Sequence, residues 1–314
     1  MKPVALPVLL LLAWGTLCPA SADGQVVVLL SHEAEYYRAC LEGLEDELGG
    51  GKDALRVSSW VLSEAKGDEL LEKVIGEQRP AVVVTLGTEA TKWAVEHCRD
   101  FSICFAMVPS KTTLGFTEEG SRWPANLSGV VLQVPLERQI ELLRRVLPEA
   151  GRIGIAYSEV NEGEVSRLQA LLQQQGLGFV PSRISSAKDL SAGLASLQGA
   201  VDVLFALPDP LVYNGLSAKY VLLFSLQHRI PLVAFSSSYV KGGALMGFYA
   251  DPKDIGVQCG KVVKRILAGR PPTANPIEFP GKIRLGWNRK VSERLGLPAA
   301  DEAVVPADVV LEQY

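Results

Sequence analysis

Unbroken apolar runs alternate with amphipathic stretches along most of the chain. Residues 25–30 (QVVVLL) carry no charge, the pattern of a strand buried on both faces. The stretch 36–48 then puts Tyr37, Cys40, Leu41, Leu44 and Leu48 on one helical face, and Gly49, Gly50 and Gly51 end it. The same reasoning predicts strands over 55–61, 81–86 (AVVVTL) and 102–107, with helices over 68–78 and 88–97. The rhythm then restarts. Helices are expected over 138–146, 162–175, 188–197 and 216–228, and strands over 153–157, 178–183, 201–206 and 232–235.

Two successive β-α series with continuously apolar strands predict parallel sheets covered by helices. A single eight-fold barrel is the competing architecture at this length. Against it stand three extended stretches, 126–134, 243–249 and 276–287, with a helix over 254–267 between the last two. These predict an α/β protein of two Rossmann-like parallel-sheet lobes joined by a three-link hinge. Lobe I takes residues 23–127 plus 249–277, and lobe II takes 128–248 plus 278–314. Open parallel sheets receive ligands at the carboxyl ends of their strands, which here flank an interlobe cleft.

The first 22 residues read differently. Lys2 precedes an apolar run over 4–14 broken only by Pro7, and Ala20-Ser21-Ala22 follows. That is the layout of a signal peptide cleaved after Ala22, giving an exported protein. The alternatives are a lipid-bearing Cys18, disfavoured by the bulky Leu17 before it, and a retained anchor.

Composition narrows the chemistry. The 314 residues carry a formal net charge of −4, with no basic excess to neutralise phosphates, so a nucleic-acid partner is not expected. Only three histidines occur, far apart, and no G-x-S-x-G, P-loop or H-E-x-x-H motif is present. The expectation is a binding protein with no catalytic residues, metal or cofactor. Beyond residue 22 the cysteines are Cys40, Cys98, Cys104 and Cys259, without a C-x-x-C pair. They read as buried thiols or as a disulfide set with three possible pairings. A 2-1-3-4-5 sheet puts the helices over 36–48 and 254–267 on one face, so Cys40–Cys259 is the candidate bridge.

The strand-end loops supply the candidate ligand groups. After the first strand come Ser31 and Tyr36, with His32 read as an ordinary loop residue. After the third come Gly87 and Thr88, where glycine permits close backbone approach and a helix start offers free N–H groups to an anion. The second series offers Ser158, Asp209 between Pro208 and Pro210, and Ser236 at the head of a serine run. Asp209 is either a ligand acceptor or a helix cap.

The order of short motifs resembles the ABC-transporter substrate-binding proteins with a type I periplasmic-binding fold, in the broad family that includes tryptophan/tyrosine-type binding proteins. The resemblance rests on Tyr36 with Glu42-Gly43-Leu44, Gly87-Thr88-Glu89-Ala90, Asn126-Leu127-Ser128-Gly129-Val130, Leu147-Pro148, Leu207-Pro208-Asp209-Pro210, Gly242-Gly243-Ala244-Leu245 and Asp254-Ile255-Gly256. It implies capture of a small molecule in the periplasm and delivery to a membrane permease by a monomer, with Ser31, Tyr36, Gly87, Thr88, Ser158, Asp209 and Ser236 at the matching cleft positions. A ligand sensor docking on a receptor kinase is the alternative use of the same clamshell. One departure stands out: Ala106-Met107-Val108-Pro109 is more apolar than the family pattern, which leaves room for a less polar ligand.

Overall fold

The computed structural model describes residues 24–50, 55–63, 76–116, 123–274, 276–298, 300 and 305–314. The expected signal peptide and most of the helix expected over 68–78 lie outside those residues. The first passage comprises β1 (Gln25–Leu30), α1 (Glu35–Gly49), β2 (Arg56–Val61), β3 (Val82–Leu86), α2 (Thr88–His97), β4 (Ser102–Val108) and β5 (Leu127–Val131). The second comprises α3 (Leu136–Val146), β6 (Arg152–Tyr157), α4 (Glu162–Gln174), β7 (Gly178–Arg183), α5 (Leu190–Leu197), β8 (Val203–Phe205), α6 (Ala218–His228), β9 (Leu232–Ala234), α7 (Ser237–Gly242) and β10 (Met246–Tyr249). The chain then returns through α8 (Pro252–Leu267) and β11 (Ile277–Glu278), and ends with β12 (Ile283–Trp287), α9 (Arg289–Leu295) and β13 (Val309–Gln313).

Two sheets result. The first runs β11-β5-β4-β3-β1-β2 and is parallel throughout. The second runs β13-β12-β10-β9-β8-β6-β7, parallel except where β12 meets β10. The chain changes sheets three times, after β5, after β10 and after β11. Because β5 pairs with β4, the first change falls after Val131, a few residues beyond the boundary expected at 127.

The continuous apolar runs are buried as expected: Val26, Val27, Val28 and Leu29 on β1, and Val82, Val83 and Val84 on β3, have no exposure. Tyr37, Cys40, Leu44 and Leu48 form the inner face of α1. That helix lies directly on α8, and glycines set the spacing. A Cβ on Gly256 would stand 1.9 Å from the Cys40 carbonyl oxygen, and one on Gly43 would stand 2.1 Å from that of Lys253. The start of α8 is fixed by Asp251, whose carboxylate accepts from the N–H groups of Lys253 and Asp254 at 3.0 and 3.2 Å, with Pro252 behind it.

Three elements were not expected from periodicity: α7, α9 and β13. The two helices are single or double turns, too short to show a period, and β13 exists because β12 offers it an edge. Among the described residues, no helix is long and apolar enough to cross a membrane.

Candidate functional site

The carboxyl ends of β1, β3 and β4 surround a cavity of about 440 Å³. Ser31, Tyr36 and Thr88, all expected from the sequence, line it. Ser31 is buried and structural as well as accessible from the cavity. Its hydroxyl accepts from Ala90 N–H at 3.0 Å and donates to the Leu86 carbonyl at 3.2 Å, so it fastens the start of α2 to the end of β3. Ala90's N–H is thereby satisfied, while the remaining first-turn N–H groups of α2 are the ones a helix leaves free.

Gly87 sits behind this wall and makes it possible. Its φ is +100°, and a Cβ there would stand 2.1 Å from the Tyr37 hydroxyl and 2.5 Å from Ser31 Oγ. No other residue fits both constraints. Gly87→Ala is therefore expected to displace Tyr37, lowering the melting temperature and removing ligand binding together. An unchanged melt would show that the loop relaxes around the methyl group.

Three rings meet beside the cavity. Tyr36 and Tyr37 cross at 4.5 Å between centroids, His32 stands 5.0 Å from Tyr37, and a His32 ring nitrogen is 3.0 Å from the Tyr36 hydroxyl. Burial and the neighbouring Tyr36 push the Tyr37 hydroxyl up to about 12, so it stays a neutral donor. Tyr36 is 45% exposed, a large ring turned towards solvent at the cavity mouth.

The floor is apolar. Met107, Pro109 and Leu132 line it, and Met107 holds φ +58° where β4 and β5 slip register between Phe105 and Val108. A bulge at a strand end re-aims side chains, and a left-handed non-glycine residue costs about 1–3 kcal/mol unless its surroundings hold it. Glu89, exposed at the rim, adds the one carboxylate among the lining side chains.

Ser158, Asp209 and Ser236 lie at strand ends of the second sheet and do not line this cavity. Asp209 is 3% exposed and accepts from five donors. These are Ser158 N–H (2.7 Å), the Ser158 hydroxyl (2.9 Å), Asn161 Nδ2 (2.9 Å), Leu211 N–H (2.9 Å) and Val212 N–H (3.1 Å). A carboxylate offers about four lone-pair sites, so none is left over for a ligand in this conformation. Burial alone would raise its pKa, but the bonds from Ser158, Asn161 and Val212 outweigh burial and hold it below the ordinary value. The expected ligand acceptor is thus a clamp joining the loops after β6 and β8, and it caps the turn that follows as well. Ser236 caps α7, its hydroxyl accepting from Tyr239 N–H at 3.5 Å. Next to it, Tyr213, Phe235 and Tyr239 form a second ring trio, with centroids 5.0 to 6.1 Å apart.

His32, Tyr37, Glu89, Met107, Pro109 and Leu132 line the cavity without having been singled out as ligand residues. Tyr37 was hidden by its place on the buried face of α1. Met107 and Pro109 had a signal, the apolar departure in the run 106–109.

Two parallel-sheet lobes exchanging three links, with a cavity at the strand ends of one of them, define a two-lobed ligand-binding protein of the periplasmic-binding type. The chain belongs to the ABC transporter substrate binding protein family, whose profile matches residues 25–311. A tyrosine-binding protein of Clostridioides difficile is 24% identical over 192 residues, covering 60% of this chain and 55% of that protein, so the match spans little more than half of the relative. Among solved structures, the ligand-free, open form of a substrate-binding protein with adhesive properties from Clostridium difficile superposes with a TM-score of 0.72 at 20% identity, over 92% of this chain and 99% of that one. An ABC domain from Streptococcus pneumoniae in complex with L-Trp gives 0.61 at 19% identity, over 90% and 97%. At these identities the structures establish the fold.

Proposed function

We propose that this chain is an exported protein that captures an amino acid with an aromatic side chain between its lobes and delivers it to an ABC permease without altering it. The observation that carries the reading is the cavity itself, which joins a helix N-terminus, a ring cluster and an apolar floor within about 440 Å³. The first turn of α2 suits a carboxylate, Glu89 an ammonium, and Tyr36 with Met107 and Pro109 a planar apolar side chain. The names of the tyrosine-binding relative and of the L-Trp complex point the same way. Apart from Leu132 in the first link, the cavity is lined from the first lobe, so the second lobe would complete the site by closing, and contacts to both lobes stabilise the closed form only.

Calorimetric titration of the purified chain with L-tyrosine, L-tryptophan, L-alanine and ribose tests the ligand class. Binding of the two aromatic amino acids, with compaction in small-angle scattering, is expected; binding of none of the amino acids would end the proposal. Tyr36→Ala should weaken binding about five-fold, through loss of a ring contact of roughly 1 kcal/mol. Equal affinity in that variant would remove Tyr36 from the site.

A further inference from the structure

Three cysteines converge at one point of the first lobe. Cys40 on α1, Cys104 on β4 and Cys259 on α8 are fully buried members of one apolar cluster. The Sγ atoms of Cys104 and Cys259 are 3.4 Å apart, and Cys104 Sγ is 3.9 Å from the Cys259 carbonyl oxygen. All four described cysteines are free thiols, and the thiol in contact with Cys259 is that of Cys104 rather than that of Cys40, the partner expected from the helix positions. The reason is packing: α1 and α8 meet backbone to backbone at Cys40 and Gly256, while Cys259 turns towards the sheet.

The geometry points to Cys104–Cys259 as a disulfide site that staples α8 to β4. The two residues are 155 positions apart, so the bond encloses the whole second passage of the chain. It fixes the helix that brings the chain back to the first sheet. The oxidant is a small disulfide, glutathione disulfide in the test below. One cysteine thiolate attacks a glutathione sulfur, breaking its S–S bond and releasing one glutathione thiolate. The second cysteine thiolate attacks the mixed disulfide and releases the other. Two cysteine thiols are oxidised, one glutathione disulfide is reduced, and the two protons end on the two glutathione thiols.

Folding order decides when this happens. Contact with Cys259 and burial hold the Cys104 thiol protonated, and neither sulfur is exposed. The exchange therefore runs while the chain folds, before α8 seats on the sheet. Afterwards the same burial protects whichever state was reached.

The full chain, unfolded and reduced, is refolded in a glutathione redox buffer, alkylated in denaturant, digested and mass-mapped. A peptide linking Cys104 to Cys259 is expected, with Cys40 and Cys98 alkylated. Cys40→Ser should keep the linked peptide and Cys104→Ser should lose it. Reduction in denaturant and refolding without oxidant should lower the melting temperature by about 5–10 °C relative to the linked form. Alkylation of both Cys104 and Cys259 after oxidative refolding to native circular dichroism, or a link from Cys259 to Cys40, would overturn the assignment. Ligand titration is a separate readout, so the functional proposal and this one fail independently.

Discussion

An Asp209→Ala variant is expected to lose about 3 kcal/mol of stability at neutral pH, well beyond an ordinary helix-cap deletion of about 1 kcal/mol. The carboxylate is buried, and its removal leaves the N–H groups of Ser158, Leu211 and Val212 without their acceptor and the Asn161 amide with only the Pro208 carbonyl. Unmade bonds to a charged, buried partner carry the desolvation cost of every group left behind. The pH dependence follows from the direction of the shift. The folded-state pKa lies below the ordinary 3.8, so the ionised form favours the folded protein. That contribution is fully present above the ordinary value and is lost as pH falls through the lower, folded value. Urea melts should therefore show a constant gap between wild type and variant near neutrality, narrowing only in acid. Equal stability at pH 7 would show that the clamp contributes nothing. Ligand affinity should fall as well, because the loops after β6 and β8 lose the group that holds them together.

Gly256→Ala is expected to cost about 3 kcal/mol, towards the upper end for an overpacked site. The added methyl group would meet the Cys40 carbonyl oxygen at 1.9 Å and Leu44 N at 2.8 Å, both backbone atoms in the middle of α1. Neither helix can yield without lifting its whole buried face from the other. The control has the opposite sign: a Cβ on Gly163, in the first turn of α4, meets nothing within 4 Å. Gly163→Ala should be neutral or stabilise by up to about 1 kcal/mol, the helix propensity difference. A Gly256→Ala protein melting at the wild-type temperature would mean that α1 and α8 slide freely over one another.

Three of the nine residues lining the cavity, Ser31, Tyr36 and Thr88, were legible because they sit at punctuation points of the pattern. Ser31 and Thr88 follow buried strands, and Gly87 precedes a helix, so their positions at the strand ends follow from the strands themselves. Tyr36 was found for the same reason. Tyr37, its neighbour, has the spacing of a core residue and is one; its hydroxyl reaches Ser31 only because Gly87 leaves the space. Met107 shows the other kind of gap. Its left-handed backbone arises from a register slip between β4 and β5, and a slip between strands is a property of the pair.

Asp209 marks where local reading divides. Its place after a buried strand and between two prolines located it correctly at the sheet edge, and both cap and ligand readings were open. Ser158 and Asn161 lie 51 and 48 positions away, and their approach consumes the carboxylate. Cys259 makes the same point from the helix side, since its sulfur meets Cys104 across 155 residues.

By itself, the sequence determined the alternation of buried strands and amphipathic helices, the two-lobed parallel architecture and the strand-end loops. Each of these depends on apolar periods of a few residues, which local physics reads out. The tertiary structure alone decided which polar groups are consumed by one another, which thiols touch, where α1 and α8 approach backbone to backbone, and that short α7, α9 and β13 form at all. Those outcomes depend on contacts between segments dozens to hundreds of residues apart, whose distances no local period encodes.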